Sequence, residues 1–190
     1  MKTITIVGVG ALGSHTVQFL RNADALIRVI DFDRIETRNV QAQFHGAPSV
    51  GKGKAQSLQQ MMLHLYKRRI EALPHKLVEN NVKELLGGSS LVIDCLDNGA
   101  SRRIVQKYVR ETSTPCLHGA LSADGTFGSV LWDEVFVVDD ETPGQRTCED
   151  GAHLPFIATV STYIAQVAQT FWRTGAKQGF QVYLGGVSRI

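Results

Sequence analysis

The sequence predicts an α/β fold, a mostly parallel sheet with helices on both faces and some added antiparallel strands. Three observations predict it. A short β-branched run, Thr3–Val7, leads straight into Gly8-Val9-Gly10-Ala11-Leu12-Gly13 and then into an apolar-periodic stretch through Val17, Phe19 and Leu20. A second apolar run, Leu26–Ile30, ends in the acidic group Asp31-Phe32-Asp33. A third begins at Leu91 and ends in Asp94-Cys95-Leu96-Asp97, with a helical pattern behind it. Strand, turn and helix, repeated with carboxylates at the strand tips, describe βαβ units in a Rossmann-like arrangement.

The remaining elements follow in order. Residues 34–53 are polar and contain Gly46, Pro48, Gly51 and Gly53, which reads as a long functional loop. From Lys54 to Tyr66 the spacing of Leu58, Met61, Met62 and Leu65 suits an amphipathic helix. A third strand is expected at residues 70–73 and a short helix at 81–86, stopped by Gly87-Gly88. The buried strand from Leu91 is expected to run to Asp97, and the next helix, at residues 100–110, carries Ile104, Tyr108 and Val109 on one side. After Pro115 come a strand at 117–121, a turn at Asp124-Gly125, and strands at 127–132 and 135–138, which would add antiparallel partners to the sheet. Residues 139–153 read as a mobile loop, residues 155–172 as a long, sparsely charged helix packed on the sheet, and residues 179–187 as a last strand interrupted by a turn at Leu184-Gly185-Gly186.

Composition bounds the class. A chain of 190 residues with 43% hydrophobic content can bury a sizeable core, so one domain over residues 1–190 is expected, with no repeat or linker to divide it. Twenty basic against 18 acidic residues provide no electrostatic reason to bind nucleic acid or a membrane surface. No apolar run reaches the roughly 20 residues that a membrane helix needs, and the opening strand leaves no room for a signal peptide. Cys95, Cys116 and Cys148 form no CxxC pair, which fits a reducing cytoplasm and excludes a four-thiolate zinc site built from one chain.

Gly8, Gly10 and Gly13 have the spacing that lets backbone amides and a helix N-terminus face a phosphate. Asp31 lies where a carboxylate would bind ribose hydroxyls, and on these residues alone a dinucleotide site is the first reading. The following residues change the balance. Asp33, Asn39 and Gln43 occupy the polar loop, Val50-Gly51-Lys52-Gly53-Lys54 opens a helix with a lysine, and Asp97-Asn98 ends a later strand. A dehydrogenase has no general need for this set. An adenylating enzyme must hold a triphosphate, place Mg²⁺ and offset charge on the α-phosphate.

In these stretches, together with Asn39-Val40-Gln41-Ala42-Gln43, Arg102, His118-Gly119-Ala120 and Pro155-Phe156-Ile157, the sequence resembles the ThiF/MoeB/HesA-type adenylyltransferases, the family that includes the ubiquitin-activating enzymes. The resemblance implies ATP and Mg²⁺ as cofactors and adenylation of the C-terminal carboxylate of a ubiquitin-like or sulfur-carrier protein ending in Gly-Gly. By position it implies that Gly8, Gly10 and Gly13 cradle phosphates, Asp31 binds ribose, Asn39 and Lys54 contact phosphates, Gln43 supports that loop and Asp97 holds the metal. Asp33 joins the nucleotide-binding set, Asp97, Lys54 and Cys148 the catalytic one, and Arg102 is read as structural. Against these roles stand plainer ones: a helix N-cap for Asp97, a turn cap for Asp33, a solvated charge for Lys54, an idle thiol for Cys148. Cys95 and Cys116 read as core thiols and His118 as a packed or hydrogen-bonded side chain.

Two departures from the family pattern matter. Ala42 stands where the family usually has an arginine that touches the phosphates. Family members also commonly carry an N-terminal helix whose arginine reaches into a partner's ATP site, whereas this sequence opens on the strand; the expectation is that another protein supplies it, that an arginine elsewhere in a homodimer does, or that the chemistry is slow. The alternatives are a weakly active pseudo-enzyme subunit in a heteromer and, least favoured, a nicotinamide oxidoreductase.

Overall fold

The computed structural model describes residues 2–138 and 151–190. Eight strands form one sheet in the order β3-β2-β1-β4-β5-β6-β7-β8, comprising β1 (Thr3–Val7), β2 (Leu26–Ile30), β3 (Glu71–Leu73), β4 (Leu91–Asp94), β5 (Cys116–Leu121), β6 (Phe127–Trp132), β7 (Phe180–Tyr183) and β8 (Gly186–Arg189). The first five run parallel, with Val7 level with Ile30 on one side and Asp94 on the other. The last three are added antiparallel. The helices are α1 (Ala11–Phe19), α2 (Lys54–Tyr66), α3 (Val82–Leu86), α4 (Gly99–Thr112) and α5 (Leu154–Thr174).

Alternation along β1 sorts the two faces. Ile4 and Ile6 enter a core with Val17 and Leu20 of α1, Leu58 and Met62 of α2, and Ile157, Val160 and Ile164 of α5. Val7, Ile30 and Val92 enter a second core with Val82 and Leu86 of α3 and Val105 and Val109 of α4. Helices therefore cover both faces, as a buried parallel sheet requires. The strand order reverses between β1 and β4, so the carboxyl ends of those strands open a crevice where open α/β sheets bind ligands.

Several expected elements appear with altered bounds. The segment 34–53 is not featureless: it holds 3₁₀ turns at Thr37–Gln41 and Ala47–Ser49 and is closed by a bridge between Arg34 and Gly53. Strand β4 stops at Asp94, where Leu96 N–H bonds the Asp94 side chain at 2.9 Å and Asp97 beyond it is exposed. Cys95 thus lies one residue past the strand and is half-buried, whereas Cys116 is buried in β5. The strand expected at 135–138 does not form. Residues 133–135 turn, which drives Phe136 inward while Val135 and Val137 stay exposed. The tail folds back as a hairpin of β7 and β8, with its turn where Leu184-Gly185 predicts one.

The glycine turn works by contact of backbone on backbone. Gly8 has φ +84°, and a Cβ on Gly13 would lie 1.8 Å from the Gly8 carbonyl oxygen. By contrast, Gly51 also has positive φ but open space around it. Gly13→Ala is therefore expected to cost about 3 kcal/mol of unfolding free energy through overpacking. For Gly51→Ala about 1 kcal/mol of backbone strain is expected. Urea unfolding midpoints of the two variants test this, and equal losses would contradict it.

Candidate functional site

The glycine loop, Asp31, Asp33 and Lys54 meet at the carboxyl ends of β1 and β2. Helix α1 starts at Ala11 with Gly10 as its cap, no side-chain capping bond and no acidic residue in its first turn. Among the described residues no side chain therefore caps its first amides. Asp31 ties the glycine loop to the β2 tip: Oδ2 accepts from Val9 N–H at 2.8 Å and Oδ1 from Asp33 N–H at 2.8 Å. Burial raises the Asp31 carboxyl above its ordinary value, and the Lys54 charge and the two amides pull against that.

Lys54 opens α2, is only 8% exposed, and its Nζ donates to Asp33 Oδ2 at 3.1 Å. The backbone repeats the tie, with Lys54 N–H on the Asp33 carbonyl at 2.8 Å. Lys54 is not a solvated charge, and Asp33 is its partner rather than a turn cap. Asn39 is buried and its Oδ1 accepts from Glu36 N–H at 2.9 Å, closing a capping box on the 3₁₀ turn. Gln43 is buried close to Gly10, where a Cβ would come within 3.8 Å of its Nε2.

Asp97 is exposed on the bend after β4. The helix cap expected of it falls to Asn98, whose side chain accepts from Ser101 N–H at 2.9 Å. Ala42 is wholly buried in the core cluster, so the position where the family carries an arginine presents no charge. Cys148 lies outside the described residues.

Beneath Asp97 lies a charge network that the sequence showed only in part, through Arg102 read as structural and His118 read as a packed or hydrogen-bonded side chain. Asp94, at 0% exposure, accepts from Arg102 Nη1 at 3.2 Å and from His118 Nδ1 at 2.7 Å. His118 Nε2 reaches Asp133 Oδ1 at 3.1 Å, and Gln106 and Arg110 also donate to Asp133. Arg102 further donates to the carbonyls of Leu96 and Gly119, so the turn that carries Asp97 is bolted to β5. Phe136 stacks on His118 at 4.2 Å. The one signal available was register, since Asp94 and His118 pair across parallel strands; Asp133 gave none.

Burial would strip the His118 proton, but the bonds to Asp133 and Asp94 outweigh it and lift the imidazole to about 11. The same contacts hold Asp133 down to about 2 against its own burial, and keep Asp94 low through Arg102 and His118. His118 is thus a cation in a fixed network, as expected of a hydrogen-bonded side chain, and not a base.

A strand-tip crevice bordered by a glycine turn, a helix N-terminus, a carboxylate and a buried lysine is the arrangement that nucleotide-binding α/β proteins use. The chain belongs to the ThiF family, whose profile matches residues 1–172. It is 29% identical over 136 residues to a probable adenylyltransferase/sulfurtransferase MoeZ of Mycobacterium tuberculosis, covering 69% of this chain and 34% of that protein. It is 31% identical over 121 residues to the SAMP-activating enzyme E1 of Haloferax volcanii, covering 62% of this chain and 45% of that protein. The chain thus spans about a third to a half of these curated relatives. Among solved structures the ATP complex of E. coli MccB superposes with TM-score 0.79 at 14% identity, covering 100% of this chain and 62% of that one. E. coli TcdA gives 0.71 at 17%, covering 92% and 87%; both likenesses concern the fold. No helix among the described residues is long and apolar enough to cross a membrane.

The raised folded-state value of His118 sets a sign: the folded protein holds a proton that the unfolded chain releases near pH 6.5, so its contribution is full below that pH and is lost as pH rises toward about 11. Urea midpoints should fall between pH 7 and 10. His118→Gln should lose about 3 kcal/mol at pH 7, by leaving buried carboxylates without their cation, and should flatten that alkaline decline. A variant as pH-sensitive as the native chain would refute the assignment.

Proposed function

We propose that this chain binds ATP at the glycine loop and adenylates the C-terminal carboxylate of a ubiquitin-like or sulfur-carrier protein ending in Gly-Gly. The observation that carries the reading is the convergence of the open α1 N-terminus, Asp31 and the buried Lys54 on one crevice. Names of relatives support it: one acts as a SAMP-activating enzyme, another as a sulfur carrier protein adenylyltransferase. In the proposed step a carboxylate oxygen attacks the α-phosphorus, the bond to the bridging oxygen breaks, and pyrophosphate leaves. The α1 amides and Lys54 hold the phosphates against the charge that builds there, Asp31 takes the ribose hydroxyls, and Asn39 and Gln43 line the loop.

The donor set fits Mg²⁺. Among the described residues no cluster of three or more His, Cys, Asp or Glu side chains can hold a metal alone. Mg²⁺ is ordinarily bound by one or two carboxylates and the substrate's phosphates, and Asp97, exposed at the crevice side of β4, is the carboxylate that would serve. Bound there, the ion would neutralise phosphate charge. Cys148 is proposed to accept the acyl group by thiolate attack on the adenylate carbonyl, with AMP leaving and a thioester formed. A reducing cytoplasm and one functional domain over residues 1–190 belong to the same proposal.

ATP–pyrophosphate exchange with Gly-Gly-ending carriers tests the reading. Carrier-dependent exchange is expected, reduced about 100-fold in Lys54→Ala, the usual cost of a lost charge-stabilising donor. A thiol-sensitive carrier adduct should form with the native chain and vanish in Cys148→Ala. No exchange with any carrier or small acid, alone or with a partner subunit, would sink the proposal. A second reading, a subunit that needs a heteromeric or homodimeric partner to complete the site, is favoured by the buried, uncharged Ala42. It would show as exchange that appears only when the partner is added.

A further inference from the structure

The segment 42–45 is laced along the start of α1 at three points. His15 Nε2 lies 3.3 Å from the Ala42 carbonyl, Phe44 N–H donates to Ser14 Oγ at 2.9 Å, and His45 Nε2 lies 2.9 Å from the Val9 carbonyl. The third contact reaches into the glycine loop itself. A carbonyl oxygen only accepts, so Nε2 carries the ring proton and donates it. Nδ1 is buried and has no hydrogen-bond partner among the described residues, which suits a bare lone pair. Burial holds the ring well below its ordinary value, at about 4, and the nearby charges of Lys54 and His15 push the same way against the Val9 bond. At neutral pH His45 is an uncharged donor, 4% exposed.

Two consecutive peptide planes are therefore fixed: Asp31 holds the Val9 N–H and His45 the Val9 C=O. The second plane joins Val9 to Gly10, and a glycine at that joint lets a free peptide rotate with little steric resistance. Rotation would turn a carbonyl dipole toward the mouth in place of an amide, and a carbonyl repels phosphate oxygens.

We propose that His45 is a positioning residue for phosphate binding, which locks the Val9–Gly10 peptide so that the Gly10 N–H, at the cap of α1, stays aimed at the triphosphate. The identity of the ligand rests on the ATP reading above; the clamp rests on geometry alone. Two variants of the full chain separate donor from packing. Leucine removes the donor, while glutamine places an amide N–H near the position of Nε2. In His45→Leu the KM for ATP in pyrophosphate exchange should rise about tenfold, the worth of one buried hydrogen bond, with kcat little changed. His45→Gln should return to within about threefold of the native value. Hydrogen–deuterium exchange without nucleotide should show residues 8–14 exchanging about tenfold faster in His45→Leu and at the native rate in His45→Gln. Native exchange rates in His45→Leu, or equal defects in both variants, would overturn the clamp. Failure of the native chain to bind Mg-ATP in calorimetry would instead sink the ATP reading, and the nucleotide-free exchange comparison would still decide for or against His45.

Discussion

The turn from β1 into α1 exists because no atom stands between Gly13 and the Gly8 carbonyl oxygen, where a Cβ would sit 1.8 Å away. That contact brings the first turn of α1 down onto the tip of β1. A second close approach on the other side sets the adjoining strand, since a Cβ on Gly8 would meet the Cys95 carbonyl oxygen at 3.0 Å. Three backbones thus converge at one point with no side chain between them. The crevice is the space left above that point, and its floor is peptide, which is the cheapest surface on which to hold an anion: amides bring fixed dipoles and lose no side-chain entropy.

Around this floor the protein sets two charge systems of different character. Asp31, Asp33 and Lys54 join β2 to α2 at the edge of the crevice, and Asp33 remains half exposed at the side chain. Asp94, Arg102, His118 and Asp133 are sealed below the β4 turn. Burying four charges has a large desolvation cost, and the return is a set of bonds that fix the β4 turn to β5 in one arrangement. The metal role proposed for Asp97 would need such a footing, because a ligand on a loose turn would spend binding free energy on being ordered.

The parallel half of the fold was legible because its strands are buried on both faces and read as continuous apolar runs. Thr3–Val7 and Leu26–Ile30 match the expected strands residue for residue. The antiparallel end was less so. Val135 to Val138 has the composition of a strand, but Phe136 gains more by stacking on His118 than by pairing, a long-range contact that local pattern does not encode. In the site, Gly8, Gly13, Asp31 and Lys54 stood out because their spacing is sequential. Asp133, Gln106 and Arg110 belong to the site only through tertiary packing and carry no spacing at all. His45 escaped for another reason: a lone histidine in a polar loop is unremarkable until its ring nitrogen is found on a glycine-loop carbonyl.

Ala42 connects these features. An alanine at this position lets the chain pass through the core at 0% exposure, and the same burial seats Phe44 and His45 against α1. The consequence is electrostatic. Among the described residues, Lys54, already shared with Asp33, and the uncapped amides of α1 bring positive character to the mouth. A guanidinium can follow a phosphate by rotating its side chain, whereas an amide acts only where the backbone holds it. A site that relies on peptide dipoles is therefore more sensitive to the orientation of each peptide than one with a flexible cation. On that ground the ties on both edges of Val9, from Asp31 and from His45, would bear more of the proposed phosphate binding than they would beside an arginine.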